Sequence, residues 1–370
     1  MKSNELTLRR QERAVFDLRA LYAAFGYSQY KMSKFEEYDL YVRNKSFLVS
    51  DQIITFNGTD GRLLALKPDV TLSIVKNTAD ALCGVQKVYY HENVYRTSAA
   101  SQDFREIPQL GLECIGEIDD YQLGEVLLLA ARSLERLSPD FVLEISHLNI
   151  VSAVIDSLGL TDGQRTRALS YLGEKNAHDA MALCREAGVC PERASRLEKL
   201  ITTAGEPTAV MEMLRDMAQE DEALSAPVRQ LEVLLEVLGA HVGADRLRLD
   251  LSLISDMSYY NGIVFQGYLK GVPTGVLSGG QYDGLMQKMG KRSRAVGFAV
   301  YLDGLQALAE PPVDYDVDTV LLYGEDTPLG ELTEAVCRCQ ATGERVLACR
   351  SIPDGLRYRR AVEWKQGKGE

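Results

Sequence analysis

Gln109 and Glu113 are two of the four polar residues in the run FREIPQLGLECIG at 104–116, whose composition predicts a β-strand. Successive side chains of a strand alternate between its two faces, so residues four positions apart share a face and can line one pocket. A charge that is buried without a partner is costly. Glu113 is therefore either a ligand-binding acceptor or the partner of a neighbouring arginine, and the sequence alone leaves both open.

Other reactive residue types show no arrangement that predicts chemistry. The seven cysteines include no C-x-x-C pair, and Cys337 and Cys339 lie in a helix-like run that separates their thiols. The four histidines have no metal-ligand spacing. Gly279 and Gly280 are not followed by Lys and Ser or Thr, so they predict a turn and not a phosphate loop. We expect no metal site and no cofactor.

The composition is that of an acidic globular protein. The chain has 370 residues, a net charge of -12, 46% hydrophobic residues and 25% charged residues. This length predicts two or three domains. The acidity argues against a large nucleic-acid footprint, because phosphate contacts need a basic face. The N-terminus has no apolar signal-peptide core, no long apolar run occurs and the cysteine count is odd, so we expect a cytoplasmic protein.

The elements that must position these residues follow an α+β pattern. Residues 7–25 have helical periodicity, and two strand-like runs flank a hairpin sequence at 57–61. The small, polar linker 97–103 predicts that the runs on either side of it are antiparallel strands. The remaining predicted elements of this half are a short helix opening at Asp69, a helix at 120–135, a strand at 141–146 and a helix at 148–158.

The second half changes character at residue 160. Residues 160–242 are rich in Ala, Leu, Glu and Arg with helical periodicity, which predicts an all-helical insertion. Strand character resumes over 246–268. We expect a core at 1–310 with a mostly antiparallel sheet flanked by helices, and a short α/β segment at 317–370. The last predicted elements are a strand at 294–300, a helix at 302–308, and a strand, a helix, a strand and a charged tail after 317.

Four segments, taken in order, resemble the histidyl-tRNA synthetases, a class II synthetase family. The match spans about 8–308 and implies the class II fold, an antiparallel sheet flanked by helices. The segments are LALKPDVTLSIVKN (63–77 region), similar to L-R-P-E-G-T; VYYHENVYR and FREIPQLGLECIG, similar to motif 2 and its continuation; LISDMSYYNGIVF (253–265), similar to V-R-G-L-D-Y-Y-x-G-x-x-F; and SGGQYDGLMQKMG…AVGFAVYLDGL, similar to G-G-R-Y-D-x-L and motif 3.

The departures from the family lie on the side that would bind ATP. The arginine of R-G-L-D-Y-Y falls on Ser255, the motif 3 arginine on Gly304 and the arginine of G-G-R-Y-D on Gln281. Motif 2 keeps its first arginine as Arg96, but 97–103 lacks the loop's glutamate and other basic residues. Adenylate formation builds negative charge at the α-phosphate, which pre-placed cations must stabilise. The resemblance therefore implies a protein without aminoacylation activity.

The amino-acid pocket of the family is better preserved. Its P-E-G-T glutamate and threonine fall on Asp69 and Thr71, and a family aspartate falls on Ser258. A carboxylate and tyrosine hydroxyls can bind both imidazole nitrogens, and Arg96 can neutralise a ligand carboxylate. The histidine-binding residues that the resemblance implies are Asp69, Thr71, Arg96, Gln109, Glu113, Tyr259, Tyr260 and Tyr282.

Among non-catalytic relatives, this combination resembles the synthetase-like regulatory subunit of ATP phosphoribosyltransferase. That resemblance implies a hetero-oligomer with the short-form catalytic subunit, which makes phosphoribosyl-ATP in the first step of histidine biosynthesis. It also implies a homodimer of this chain within the assembly and histidine as the feedback effector. Regulation then requires histidine to bind the active and inhibited assemblies unequally, and a coupling of ~1–3 kcal/mol suffices.

Two other functions remain open at this point. A divergent but active synthetase would catalyse histidine-dependent exchange between ATP and pyrophosphate. Another catalytically inactive paralogue would bind tRNA, and that binding would weaken with salt because it depends on phosphate contacts.

Overall fold

The computed structural model describes residues 8–44, 53–78, 80, 84–97, 103–254, 259–308 and 315–364. One compact unit comprises Ala14–Leu308, and a second contains the residues from 315 onward and those before Ala14. Among the described residues, no helix is long and apolar enough to cross a membrane.

The larger unit contains the long antiparallel pair that the sequence predicts. Its strands are β1 (Ser28–Gln29), β2 (Phe35–Glu37), β3 (Thr55–Asn57), β4 (Leu63–Leu66), β5 (Val85–Thr97), β6 (Phe104–Gly116), β7 (Phe141–His147), β8 (Ala204–Gly205), β9 (Leu247–Asp250), β10 (Ile263–Leu269), β11 (Leu277–Gln281) and β12 (Arg294–Tyr301). Its helices are α1 (Arg10–Ala24), α2 (Tyr38–Arg43), α3 (Thr71–Asn77), α4 (Asp120–Leu137), α5 (Leu148–Ser157), α6 (Asp162–Gly173), α7 (Ala177–Glu186), α8 (Pro191–Thr202), α9 (Pro207–Glu220), α10 (Glu222–Val242) and α11 (Asp283–Lys288).

Nine strands form the main sheet in the order β1-β5-β6-β12-β11-β10-β7-β9-β8. Neighbouring strands are antiparallel except in the pairs β1–β5 and β7–β9. The mostly antiparallel sheet flanked by helices agrees with the predicted α+β class. The short strands β2, β4 and β3 form a separate antiparallel sheet, and the predicted hairpin is its β3–β4 pair.

The two faces of β6 meet different surroundings. Leu110, Leu112 and Cys114 pack into the main core with α1 and α4. The intervening positions, Gln109 and Glu113 among them, point to the opposite face, where α3 and α11 pack over a smaller apolar cluster. The alternation predicted from the sequence therefore places both polar side chains on one face of the sheet.

Four expectations about secondary structure were wrong. The strand predicted at 246–268 is two strands, β9 and β10, and Tyr259 and Tyr260 precede β10. The insertion is not all-helical, because β8 pairs with β9 at the sheet edge. The predicted helix at 302–308 is a short 3-10 helix, Asp303–Ala307. The charged tail includes a strand at its start, Tyr358–Glu363.

The smaller unit is a parallel α/β element. Its described parts are β13 (Val317–Leu322), α12 (Leu329–Ala341), β14 (Val346–Cys349) and β15 (Tyr358–Glu363), with β13 in the centre of a three-stranded parallel sheet. Ion pairs hold its charged side chains, as between Arg345 and Asp318 at 3.0 Å and between Arg360 and Glu344 at 2.8 Å.

A buried histidine joins β7 to α5 in the larger unit. The Nδ1 atom of His147 accepts a hydrogen bond from Asn149 N at 3.3 Å, so it caps the helix, and Nε2 lies 3.0 Å from Gln230 Oε1. This arrangement requires a neutral ring that is protonated on Nε2. Burial lowers the pKa of His147 from 6.5 to about 4, because the charged ring would lose its hydration.

We expect His147 to make the free energy of unfolding depend on pH. Between pH 6.5 and about 4 the unfolded chain binds a proton here that the folded protein does not. The His147 contribution is therefore complete above pH 6.5 and falls as the pH drops, by up to about 3 kcal/mol. Urea unfolding of the wild type and of His147→Asn, which keeps a capping acceptor, measures this difference. Parallel pH profiles for the two proteins would contradict the assignment.

Candidate ligand-binding site

Glu113 lies at the centre of the site, on an inner strand of the main sheet. Its strand β6 runs between β5 and β12, so its neighbours across the sheet are Val88 and Gly297. The side chain is 2% exposed. Its Oε1 accepts a hydrogen bond from the Thr71 hydroxyl at 2.7 Å, and its Oε2 accepts one from the Tyr282 hydroxyl at 2.6 Å. Among the described residues no basic side chain forms an ion pair with Glu113, so the alternative of an internal arginine partner does not hold there.

The environment of Glu113 favours its neutral form. Burial raises the pKa of this carboxyl from 4.5 to about 8, and the nearby Asp69 adds to the shift, while the two hydroxyl donors oppose it. At neutral pH the carboxyl is thus mostly protonated when no cation or N–H group faces it. A ligand that supplies an N–H donor or a positive charge would stabilise the carboxylate and release that proton.

Two glycines provide the space in which these side chains lie. A methyl group at position 297 would overlap Oε2 of Glu113 and the carbonyl oxygen of Leu112. A methyl group at Gly111 would overlap the hydroxyl of Tyr90, a buried side chain on β5. Glycine is required where a side chain crosses so closely over a neighbouring strand.

Helix α3 contributes the next two predicted residues. Thr71 is its first residue and turns its hydroxyl toward Glu113. Asp69 precedes the helix, and its Oδ1 accepts a hydrogen bond from Leu72 N at 2.8 Å, which satisfies one free N–H of the first turn. Burial raises the pKa of Asp69, and the charge of Arg96 opposes this shift. Asp69 is therefore both a helix-terminal acceptor and one of the site's carboxyl groups.

The cationic end of the site is formed by the end of β5 and the segment before α3. Arg96 Nε donates to the carbonyl oxygen of Pro68 at 3.0 Å, and its charge acts on Asp69 and Tyr301. Lys67 is fully buried, with Nζ 2.9 Å from Glu92 Oε2. The predicted Gln109 is buried directly across the sheet from Glu92, on the face that carries Glu113.

Three tyrosines form an aromatic cluster beside Glu113. The rings of Tyr259 and Tyr260 meet edge to face with centroids 4.6 Å apart, and the Tyr259 and Tyr282 centroids are 6.0 Å apart. Burial raises the pKa values of all three well above 10, so their hydroxyls stay protonated. A methyl group at Gly280 would lie 2.7 Å from the Tyr260 ring. The cluster therefore offers neutral hydroxyl groups around one carboxyl group.

The structure thus brings the predicted residues to one face of the main sheet. Thr71, Glu113 and Tyr282 are joined directly by hydrogen bonds. Sequence reasoning missed Tyr90, Lys67 and Tyr301. The alternation of β5 could have indicated Tyr90, because it shares a sheet face with Val88, the cross-strand neighbour of Glu113. Ser255, Ser258 and most of the 97–103 linker lie outside the described residues.

The chain matches the family model described as "Histidyl-tRNA synthetase" over residues 4–305. It belongs to that family. Among curated relatives, the "ATP phosphoribosyltransferase regulatory subunit" of Oceanobacillus iheyensis is 27% identical over 305 residues, which cover 81% of this chain and 75% of the relative. The same description applies to a relative from Alkaliphilus metalliredigens, 27% identical over 76% of this chain and 72% of its own.

Solved structures agree with this assignment. An "ATP phosphoribosyltransferase regulatory subunit/histidyl-tRNA synthetase" from Bacillus halodurans superposes with a TM-score of 0.78 at 26% identity, covering 96% of this chain and 93% of that one. A chain of the "ATP phosphoribosyl transferase (HisG:HisZ) complex" from Thermotoga maritima superposes with a TM-score of 0.63 at 20% identity, covering 79% and 97%. The predicted class II synthetase fold and the resemblance to these regulatory subunits are confirmed.

Proposed function

We propose that this chain is a non-catalytic regulatory subunit of ATP phosphoribosyltransferase and that it binds histidine at the Glu113 site. The observation that carries the proposal is the buried Glu113 carboxyl, which has hydroxyl donors on both oxygens and no ion-pair partner among the described residues. Relatives described as ATP phosphoribosyltransferase regulatory subunits support the same function. Such a site suits a small ligand that has N–H groups and a charge of its own.

Histidine fits the distribution of groups in the site. Its imidazole or ammonium N–H can donate to Glu113, and the hydroxyls of Tyr259 and Tyr260 can complete the hydrogen bonds of the ring or the amine. The planar guanidinium of Arg96 suits the ligand's carboxylate, because charge-assisted contacts of this kind are about twice as strong as neutral ones. Asp69 supplies a second negative group for the ligand's ammonium.

The region that would clamp ATP phosphates in an active relative supports a non-catalytic role. By the resemblance, the motif 3 arginine falls on Gly304, where a methyl group would lie 3.5 Å from Val276 and 3.6 Å from Val272. Valine side chains cannot stabilise negative charge that develops on a phosphate. The G-G-R-Y-D arginine aligns with Gln281, which is buried and donates to Asp283 at 2.6 Å.

The partner in this proposal is the short-form catalytic subunit, and the Thermotoga maritima neighbour is described as a complex of that enzyme. Histidine inhibits by binding the inhibited assembly more tightly than the active one. Only such a difference in affinity can shift the equilibrium between the active and the inhibited assembly. A homodimer of this chain inside the assembly, and its cytoplasmic location, are parts of the same proposal.

Reconstitution tests the proposal. A mixture of the short-form catalytic subunit and this chain is expected to form phosphoribosyl-ATP, and histidine is expected to inhibit this reaction. Histidine should bind the inhibited assembly at least about fivefold more tightly than the active one, as for a coupling near 1 kcal/mol. Failure of the two chains to co-purify, or no activation on mixing, would contradict the proposal. Histidine-dependent ATP–pyrophosphate exchange by this chain alone would identify an active synthetase, and salt-sensitive tRNA binding would identify a tRNA-binding paralogue.

A further inference from the structure

We propose that Asp283 is the positioning residue of the ligand site: it holds the two segments that carry the tyrosine cluster in one geometry. This inference rests on the proposed histidine site. Asp283 is the first residue of α11 and directly follows Tyr282. Its side chain is 14% exposed, so the bonds that it accepts are largely shielded from water.

Four donors converge on this one carboxylate. Its Oδ2 accepts from Gln281 Nε2 at 2.6 Å, from Arg294 Nε at 3.0 Å and from Asn261 Nδ2 at 3.2 Å. Its Oδ1 accepts from the backbone N–H of Ala295 at 3.1 Å. Three donors therefore share Oδ2, and a fourth occupies one of the two lone-pair sites of Oδ1.

The donors come from separate parts of the chain that meet at the ligand site. Asn261 directly follows Tyr260, and its own backbone N–H donates to Gln281 O at 2.8 Å. Ala295 begins the part of β12 that leads to Gly297, and its carbonyl oxygen accepts from Tyr282 N at 2.9 Å. Asp283 thus joins the segment after Tyr260, the segment after Tyr282 and β12, the strand that pairs with β6 beside Glu113.

This arrangement differs from an ordinary helix-start carboxylate. Such a residue accepts from N–H groups of its own first turn, whereas every donor to Asp283 lies outside α11. Gly284 N, the first-turn group next to it, donates instead to Asn261 Oδ1 at 3.3 Å. The bonds of Asp283 therefore fix the position of Tyr282, whose hydroxyl reaches Glu113 at 2.6 Å, and not the helix alone.

Calorimetric titration of the full chain with L-histidine tests the inference. Asp283→Asn places an amide N–H among four donors, and we expect histidine affinity to fall about tenfold, the effect of losing one charge-assisted hydrogen bond. Asp318→Asn is the matched control. Asp318 accepts from Arg345 N and Nε and belongs to the smaller unit, whereas the ligand-site residues belong to the larger one, so its variant is expected to bind like the wild type.

A double mutant separates positioning from a general loss of stability. If Asp283 acts through the Tyr282–Glu113 bond, Asp283→Asn in a Tyr282→Phe background should weaken binding by less than about threefold, because coupled residues are non-additive. A tenfold loss in both backgrounds, or wild-type affinity in Asp283→Asn, would overturn the inference.

A second variant tests the inference if Asp283→Asn does not fold. Asn261→Ala removes one donor to Asp283, and a loss of histidine affinity of about threefold is expected. Unchanged binding by Asn261→Ala would overturn the inference equally. Absence of binding by the wild type would instead reject the histidine site, and the inference with it.

Discussion

Replacing Glu113 by glutamine is expected to weaken histidine binding by about 100-fold, which corresponds to about 2.7 kcal/mol. The substitution keeps the size and shape of the side chain and removes only its ability to become a carboxylate. The charge-assisted hydrogen bond from the ligand's N–H is then lost. The glutamine NH2 group is itself a donor, so it faces another donor group where the carboxylate oxygen accepted a hydrogen bond. Isothermal titration calorimetry of the two proteins measures the difference.

The same substitution is expected to change the pH dependence in a defined direction. The pKa of Glu113 is about 8 in the folded protein and 4.5 in the unfolded chain, so the folded state holds the extra proton between these values. Its contribution to stability is complete below pH 4.5 and is lost as the pH rises through 8, by up to about 5 kcal/mol. The ligand-free Glu113→Gln protein lacks this loss and is expected to be the more stable of the two above pH 8.

Proton release supplies a second measurement of the same group. Histidine binding at pH 7 is expected to release most of one proton from wild-type Glu113, because the bound ligand stabilises the carboxylate. Titrations in buffers with different ionisation enthalpies report this number, and Glu113→Gln should release none from this position. Equal proton release and equal affinity in both proteins would reject Glu113 as the ligand's acceptor.

Glu125 provides a matched control for this experiment. It is also a buried glutamate that accepts bonds from two tyrosine hydroxyls, those of Tyr27 and Tyr121. It differs in having Lys87 Nζ at 2.7 Å and in lying on α4, away from the ligand site. Glu125→Gln is expected to lower stability by breaking this ion pair while leaving histidine affinity within about twofold of the wild type.

Elements with a strong local pattern could be predicted from the sequence. The helical periodicity before Gly26 and the long runs around the 97–103 linker predicted α1, β5 and β6. An amphipathic or apolar repeat over ten or more residues indicates the secondary structure of its segment without any information from distant residues. The failures have non-local causes. Apolar residues over 246–268 look alike in the sequence, but β9 ends at Asp250 and β10 begins at Ile263. β8 is two residues long, and only its partner β9 makes it a strand.

The candidate site shows the same limit. Alternation along one strand was enough to place Gln109 and Glu113 on a common face, and the family resemblance supplied the tyrosines. The register between neighbouring strands decides which residue of β12 lies beside Glu113 and which residue of β5 lies beside Gly111. The residue pattern of one strand alone does not determine that register. Gly297 therefore became visible only in the folded chain, as did the ion pair between the buried Lys67 and the half-buried Glu92.

Gly297→Ala is expected to abolish measurable histidine binding, a loss of more than about 100-fold, although no ligand contact is removed. The new methyl group would overlap Oε2 of Glu113, so the carboxyl must leave the position in which Tyr282 and Thr71 hold it. The same methyl group would also overlap the backbone oxygen of Leu112. The strands cannot separate without breaking the β6–β12 ladder, so we also expect a stability loss of ~1–3 kcal/mol.

The control for Gly297→Ala must strain the same sheet without touching the site. Gly267 on β10 meets this need, because a methyl group there would lie 2.7 Å from Leu134 in the main core, on the opposite face. Gly267→Ala is expected to cost a similar ~1–3 kcal/mol of stability and to keep histidine affinity within about twofold. Urea unfolding and calorimetry together then separate the two effects. Equal losses of affinity in both variants would show that binding depends on the strain of the sheet as a whole and not on the space that Gly297 leaves for Glu113.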